Sequence, residues 1–202
     1  MWDNGKIKEV YENRLYEQRR RLYISKKILI ISTSLRKGGN SDKLADEFLR
    51  GAVENGHEVE KISLIDKHIA FCTGCLVCQK TKRCVIHDDA DVISLKMLNA
   101  DVLVFVTPIY YYEMSGQMKT VLDRANPLYA SDYSFREIYL LATSADEDTS
   151  AMDGAIKGLK GWISCFEKAK LVGVIRGLGA DELGSIAGNS ALEEAFEAGK
   201  LI

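Results

Sequence analysis

Two hydrophobic periods alternate along the chain. Short apolar runs recur at Ile28-Leu29-Ile30-Ile31, at 59–64, at Val102-Leu103-Val104-Phe105-Val106, at 138–142 and at 171–175. A run of this length reads as a strand, and one without polar alternation reads as a strand covered on both faces. The run at 59–64 carries Glu60, Lys61 and Ser63, which predicts an edge strand. Between the runs, apolar residues repeat at helical spacing. The predicted helix faces are Leu44, Ala45, Phe48, Leu49, Ala52 and Val53; then Val92, Ile93, Met97 and Ala100; then Met114, Met118, Val121, Leu122 and Ala125. Two more follow, Met152, Ile156, Leu159, Ile163 and Phe166, and finally Leu192, Ala195 and Phe196. Asp88 and Asp89 suit the N-terminus of the second of these helices.

Strands alternating with helices imply an α/β fold with a parallel sheet between two helical layers. Five strands fit a doubly wound sheet of order 2-1-3-4-5 over residues 27–202. Its ligand crevice lies beyond the carboxyl ends of strands one and three. That rule points to the loops after Ile31 and after Val106. Residues 1–26 stand apart. Ile7, Tyr11, Leu15 and Leu22 fall near helical spacing among many basic residues, Arg19-Arg20-Arg21 included. They predict an amphipathic helical extension laid on the domain or on a sister subunit. The charge run reads as a solvated face.

Charge and composition narrow the classes. Lys and Arg number 27 against 29 Asp and Glu, a net charge of −2, which gives no electrostatic reason to expect nucleic acid or an anionic membrane. The longest uncharged apolar stretch, 102–112, falls short of the ~20 residues of a membrane-spanning helix. The N-terminus turns charged at once, unlike a signal peptide. The chain has 5 cysteines, an odd number, and four of them crowd between Cys72 and Cys84. That pattern predicts a site rather than a disulfide scaffold, in a reducing, cytoplasmic setting.

The first loop reads Ser32-Thr33-Ser34-Leu35-Arg36-Lys37-Gly38-Gly39-Asn40-Ser41. It offers hydroxyls, an amide and a guanidinium just ahead of a helix, where free N–H groups favour an anion. It has neither a P-loop ending nor a Gly-x-Gly-x-x-Gly pattern, and its many hydroxyls fit a terminal monophosphate. The loop resembles the S-x-R-x-x-G-N-S/T phosphate loop of flavodoxin-like NAD(P)H-dependent oxidoreductases. That family includes the NADPH-dependent FMN reductases and the iron–sulfur flavoproteins, and the resemblance runs through most of residues 27–202. Where relatives often have Gly-Ser-Pro before the Arg, this chain has Ser32-Thr33-Ser34-Leu35. The resemblance implies FMN as cofactor, held here by Ser32, Ser34, Arg36, Gly39, Asn40 and Ser41.

The second loop, Thr107-Pro108-Ile109-Tyr110-Tyr111-Tyr112-Glu113-Met114-Ser115, resembles the family's P-x-Y segment. That likeness implies flavin contacts from Pro108, Ile109, Tyr110, Tyr111 and Tyr112. A flat amphipathic ring needs apolar faces and polar rims, and Tyr supplies both. The same three tyrosines would also suit a subunit interface. After the fourth strand, Thr143-Ser144-Ala145-Asp146 occupies the family's third flavin position, which implies contacts from Ser144 and Asp146; an ordinary turn fits the segment equally well.

Cys72-x2-Cys75-x2-Cys78-x5-Cys84 lies in a connection of about 24 residues, where 2–6 is usual for an α/β unit. The spacing matches the compact cysteine motif of iron–sulfur flavoproteins. Three readings stand open: a [4Fe–4S] cluster on Cys72, Cys75, Cys78 and Cys84, a zinc ion, or free thiols. Cys165, beside Phe166, reads as a small core residue. His57, His68 and His87 show no ligand spacing.

The function these features imply is an FMN-dependent oxidoreductase, passing electrons from NAD(P)H to a flavin, a quinone or another small molecule. The flavin carries the chemistry, so no acid, base or nucleophile is named. The alternative is an electron carrier with FMN and a [4Fe–4S] cluster, exchanging electrons with a ferredoxin. A homodimer or homotetramer is expected, with no nucleic-acid or membrane partner.

Overall fold

A computed structural model describes residues 25–202, so the helical extension expected over residues 1–26 lies almost wholly outside the described residues. Five parallel strands form the sheet: β1 (Lys27–Ser32), β2 (Glu58–Ser63), β3 (Val102–Tyr110), β5 (Glu137–Thr143) and β6 (Lys170–Gly177). Their order is β2-β1-β3-β5-β6, and β2 is an edge strand. The short β4 (Glu113–Met114) pairs antiparallel with the end of β3, Ile109 opposite Met114. Among the parallel strands alone the order is the expected 2-1-3-4-5. The helices are α1 (Asn40–Glu54), α2 (Val77–Thr81), α3 (Asp89–Asn99), α4 (Gly116–Arg124), α5 (Asp153–Ile163) and α6 (Ser190–Lys200).

Side chains of a strand alternate between faces, and the sheet accordingly has two cores. Leu29, Ile31, Leu103 and Phe105 pack toward Ile93 and Met97 of α3, Met118 and Leu122 of α4, and Leu159 of α5. Ile28, Ile30, Val102 and Val104 pack toward Leu44 and Phe48 of α1 and Ala195 of α6. Gly51 and Gly199 allow α1 and α6 to touch backbone to backbone. A Cβ on Gly51 would run into the Phe196 carbonyl, and one on Gly199 into that of Phe48.

Three local expectations are corrected. Met114 belongs to β4, because the chain folds back as a hairpin before α4 begins; Ser115 caps that helix by accepting the Met118 N–H at 3.3 Å. Val92 is 56% exposed, whereas Ala90, Ile93, Ser94 and Met97 form the buried face of α3. Neighbouring helix positions point about 100° apart, so Val92 and Ile93 cannot share a narrow face. Cys165 is exposed just past the end of α5, and Phe166 takes the core position. Among the described residues no helix is long and apolar enough to cross a membrane.

Candidate functional site

The loops after β1 and β3 meet at the carboxyl edge of the sheet, and buried hydroxyls tie them together. Thr33 donates from N and Oγ1 to the Val106 carbonyl, each at 2.9 Å. Thr33 Oγ1 and Ser115 Oγ lie 3.0 Å apart, and the Thr107 hydroxyl accepts the Ser115 N–H at 3.0 Å. Beside this knot opens a crevice of about 260 Å³. It is lined by Ser34, Arg36, Gly39, Asn40 and Ser41 from the first loop and by Pro108, Ile109, Tyr110 and Tyr111 from the second. Thr143, Ala145, Ala180 and Asp181 complete the wall.

The first loop turns into α1 through Gly38, at φ +67°, and Gly39. Gly39 is the N-cap and has no side chain to cap with, so no side chain satisfies the N–H groups of the first turn. They leave partial positive charge at the crevice. A Cβ on Gly39 would lie 2.7 Å from Ser34 Oγ and 3.0 Å from the Arg36 carbonyl, so only glycine keeps this cradle open. Arg36 is exposed and reaches the Asp181 carbonyl at 3.4 Å. Two residues of this loop are occupied with other partners. Ser32 Oγ donates to Asp42 Oδ1 at 2.8 Å and is not part of the lining. The Asn40 amide lines the crevice but clamps the loop after β6. Its Nδ2 donates to the Ala180 carbonyl at 3.1 Å and that of Glu182 at 2.7 Å, and its Oδ1 accepts the Gly184 N–H at 2.9 Å.

In the second loop, Tyr111 (φ 49°) and Tyr112 (φ 64°) form the two-residue turn between β3 and β4. Such a turn prefers Asn and Gly, because bulky residues are strained at positive φ. α5 backs the turn: a Cβ on Gly154 would meet the Tyr112 carbonyl. Tyr111 is fully exposed. Tyr112 stands outside the lining and donates to Asp146 Oδ2 at 3.4 Å. Asp146 and Ser144 also stand outside it, and Ser144 Oγ donates to the Asp146 carbonyl at 2.8 Å to shape the loop after β5. Ala180 and Asp181 were missed in the sequence. The signal was there: Gly177, Gly179, Gly184 and Gly188 mark a long turn-rich connection after the last strand.

The cysteine connection has its own anchor. Arg124, at the end of α4, is 2% exposed and forms a buried pair with Asp88, Nη1 to Oδ2 at 2.6 Å and Nη2 to Oδ1 at 3.0 Å. The same guanidinium donates to the carbonyls of Ala70 at 2.8 Å and Ile86 at 2.9 Å. Asp88 accepts the N–H groups of Ala70 and Ala90, each at 2.9 Å. Burial alone would raise the Asp88 pKa, but Arg124 and these two N–H groups outweigh it and hold the carboxyl below its usual range. Both ends of the segment bearing the four cysteines are thus fastened to one ion pair. Arg124 Nε is buried without a hydrogen-bond partner among the described residues. An unmet buried donor costs about 1–3 kcal/mol.

Cys72, Cys75, Cys78 and Cys84 line one small cavity together with Arg124 and Asn126. Asn126 Nδ2 donates to Cys78 Sγ at 3.3 Å. Burial pushes the Cys78 thiol up; the Asn126 N–H opposes it, and the Cys84 and Cys72 sulfurs are near enough to push it further. None of the four is joined in a disulfide. Among the described residues no three Cys, His, Asp or Glu side chains close on one ion position. A cuboidal cluster keeps its thiolates apart at its corners, and the donor set fits one by its chemistry. The space between the sulfurs is about 10 Å³, at the threshold for one water.

The chain matches one family model and several known proteins. The model of a family described as NADPH-dependent FMN reductase matches residues 26–171. An iron–sulfur flavoprotein of Methanocaldococcus jannaschii is 41% identical over 102 residues, covering 50% of this chain and 53% of the relative. An iron–sulfur flavoprotein of Archaeoglobus fulgidus is 38% identical over 94 residues, covering 46% of this chain and 43% of the relative. The matches thus span about half the length of these relatives. The structure of an NAD(P)H:quinone oxidoreductase from Methanothermobacter marburgensis superposes with a TM-score of 0.70 at 17% identity, covering 88% of this chain and 96% of that one, which shows a shared fold.

Proposed function

The chain belongs to the NADPH-dependent FMN reductase family, and from that premise we propose that its crevice binds FMN and that the protein is an NAD(P)H-dependent oxidoreductase. One observation carries this reading. The uncapped N-terminus of α1 opens into the same crevice that Pro108, Ile109, Tyr110 and Tyr111 wall. One end suits a phosphate and the other a flat ring. The cradle over Gly39 is the feature that fits a phosphate, since any side chain there would fill it.

Each residue then has a task. Arg36, Ser34, Ser41 and the first-turn N–H groups of α1 hold the phosphate. Tyr110 and Tyr111 flank the ring, and Pro108, lacking an N–H, leaves the end of β3 open toward it. Thr33, Thr107 and Ser115 fix the spacing between the two ends. Asn40 holds the Ala180–Asp181 wall in place. FMN bound here would supply hydride acceptance from reduced nicotinamide and onward transfer to a small acceptor such as a quinone or free flavin. Addition of NADPH or NADH to the FMN-loaded protein without oxygen tests the proposal. Bleaching of the flavin well above the rate of free FMN is expected; bleaching no faster than free FMN would overturn it.

The grouping of four cysteines supports a second reading. We assign Cys72, Cys75, Cys78 and Cys84 as ligands of a [4Fe–4S] cluster, on the shared cavity and the unmet Arg124 donor beside it. Such a cluster would supply one-electron transfer. Iron counted after anaerobic purification tests this: about four per chain is the expected result, and none the contrary one. A homodimer or homotetramer remains our reading of the assembly, checked by sedimentation of the full chain.

A further inference from the structure

We infer that Arg124 and Asn126 are the positioning residues that set the reduction potential of the cysteine site, by donating N–H groups to its sulfurs. This rests on the cluster assignment above and goes beyond it to the groups that tune the cluster. Arginine has five N–H donors. In Arg124 the terminal nitrogens are spent on Asp88, Ala70 and Ile86. Nε remains, buried and without a partner among the described residues, on a side chain that lines the cavity of the four cysteines. A protein does not ordinarily bury a donor with nothing to receive it.

Arg124 shares this cavity with Cys72, Cys75, Cys78 and Cys84. The cysteine sulfurs are acceptors that line the same cavity. Asn126 shows the completed form of the same contact, its Nδ2 on Cys78 Sγ at 3.3 Å. Both donors come from the end of α4 and the turn after it, so one rigid element presents them to the loop. The Asp88 carboxylate neutralises the guanidinium charge, which leaves the N–H dipole as the main effect on the pocket. An N–H aimed at sulfur stabilises the more negative, reduced cluster and raises its potential.

The test uses the full chain, purified and reconstituted with iron and sulfide without oxygen, as wild type, Arg124→Lys and Asn126→Leu. Iron is counted, and each protein is titrated potentiometrically with the cluster read by electron paramagnetic resonance. Asn126→Leu keeps the Arg124–Asp88 anchor, so a purely structural role for that anchor predicts no change in its potential. We expect both variants to retain iron and to shift to lower potential. At the poise where wild type is half reduced, the reduced-to-oxidised ratio of Arg124→Lys should fall about tenfold, which is 59 mV for a one-electron couple. Should Arg124→Lys lose its iron, Asn126→Leu decides alone. Iron-loaded variants with the wild-type potential would overturn the inference and leave the cluster assignment standing. A wild type without iron would overturn both.

Discussion

Asn40 and Gly184 are joined across the mouth of the crevice, the Asn40 Oδ1 accepting the Gly184 N–H at 2.9 Å. The same amide donates to the Ala180 and Glu182 carbonyls. One side chain at the start of α1 therefore fastens the loop that follows the last strand. Replacing it by alanine leaves the Ala180 and Glu182 carbonyls and the Gly184 N–H without this partner. Asn40→Ala should lower stability by about 2–3 kcal/mol, at roughly 1 kcal/mol per bond. Urea unfolding measures this, and an unchanged midpoint would show that the clamp is dispensable. FMN affinity should fall with it, because Ala180 and Asp181 lose their support.

The turn at Tyr111 and Tyr112 costs stability for the sake of the site. Two bulky residues at positive φ cost on the order of 1–3 kcal/mol each. Tyr111→Asn with Tyr112→Gly should relieve that strain and raise the melting temperature, while weakening FMN binding by removing a ring from the wall. A double variant that melts lower than wild type would show that the tyrosines hold the hairpin rather than the ligand.

The buried ion pair makes a sharper demand. Arg124 and Asp88 are both almost fully buried, and removing one leaves the other charge unmatched. Asp88→Ala should cost about 3–5 kcal/mol by denaturant unfolding. It should also expose segment 70–86 to proteolysis before the sheet unfolds, since both ends of that segment hang from this pair. Uniform cleavage across the chain would contradict that.

Much of this architecture was legible in the chain. The strands β1, β3 and β5 are uninterrupted apolar runs, and the crevice rule located the two loops that do line the site. Polar clamps were not legible. The motif shows Asn40 as a crevice residue but not its bonds to Ala180 and Glu182, some 140 residues away. The motif likewise shows Ser32 but not the bond its hydroxyl makes to Asp42. Arg124 gave no sequence signal at all. A basic residue in the last turn of a helix is normally solvated, and only the folding of the cysteine connection over it makes it a buried anchor.

Acid should weaken the fold through His57. Its ring is buried, accepts the Lys26 N–H on Nδ1 at 3.2 Å, and has its pKa held low, by burial first and then by the Lys26 charge. The unfolded chain takes up a proton near pH ~6.5 that the folded chain resists. The contribution is therefore full above about pH 6.5 and shrinks as the pH falls below it. His57→Gln should flatten the fall in unfolding free energy between about pH 6.5 and 5; an unaltered slope would place the acid sensitivity elsewhere.

The central claim is that the loop ahead of α1 recognises a phosphate on a flavin. Titration of the full chain with FMN and, in parallel, with riboflavin reads this directly, since the two differ only in that phosphate. FMN should bind at least tenfold more tightly, because each charged hydrogen bond to the phosphate contributes about 1.5–3 kcal/mol. Arg36→Ala should erode that advantage while leaving riboflavin affinity unchanged. Equal affinities for FMN and riboflavin in the wild-type protein would contradict the account.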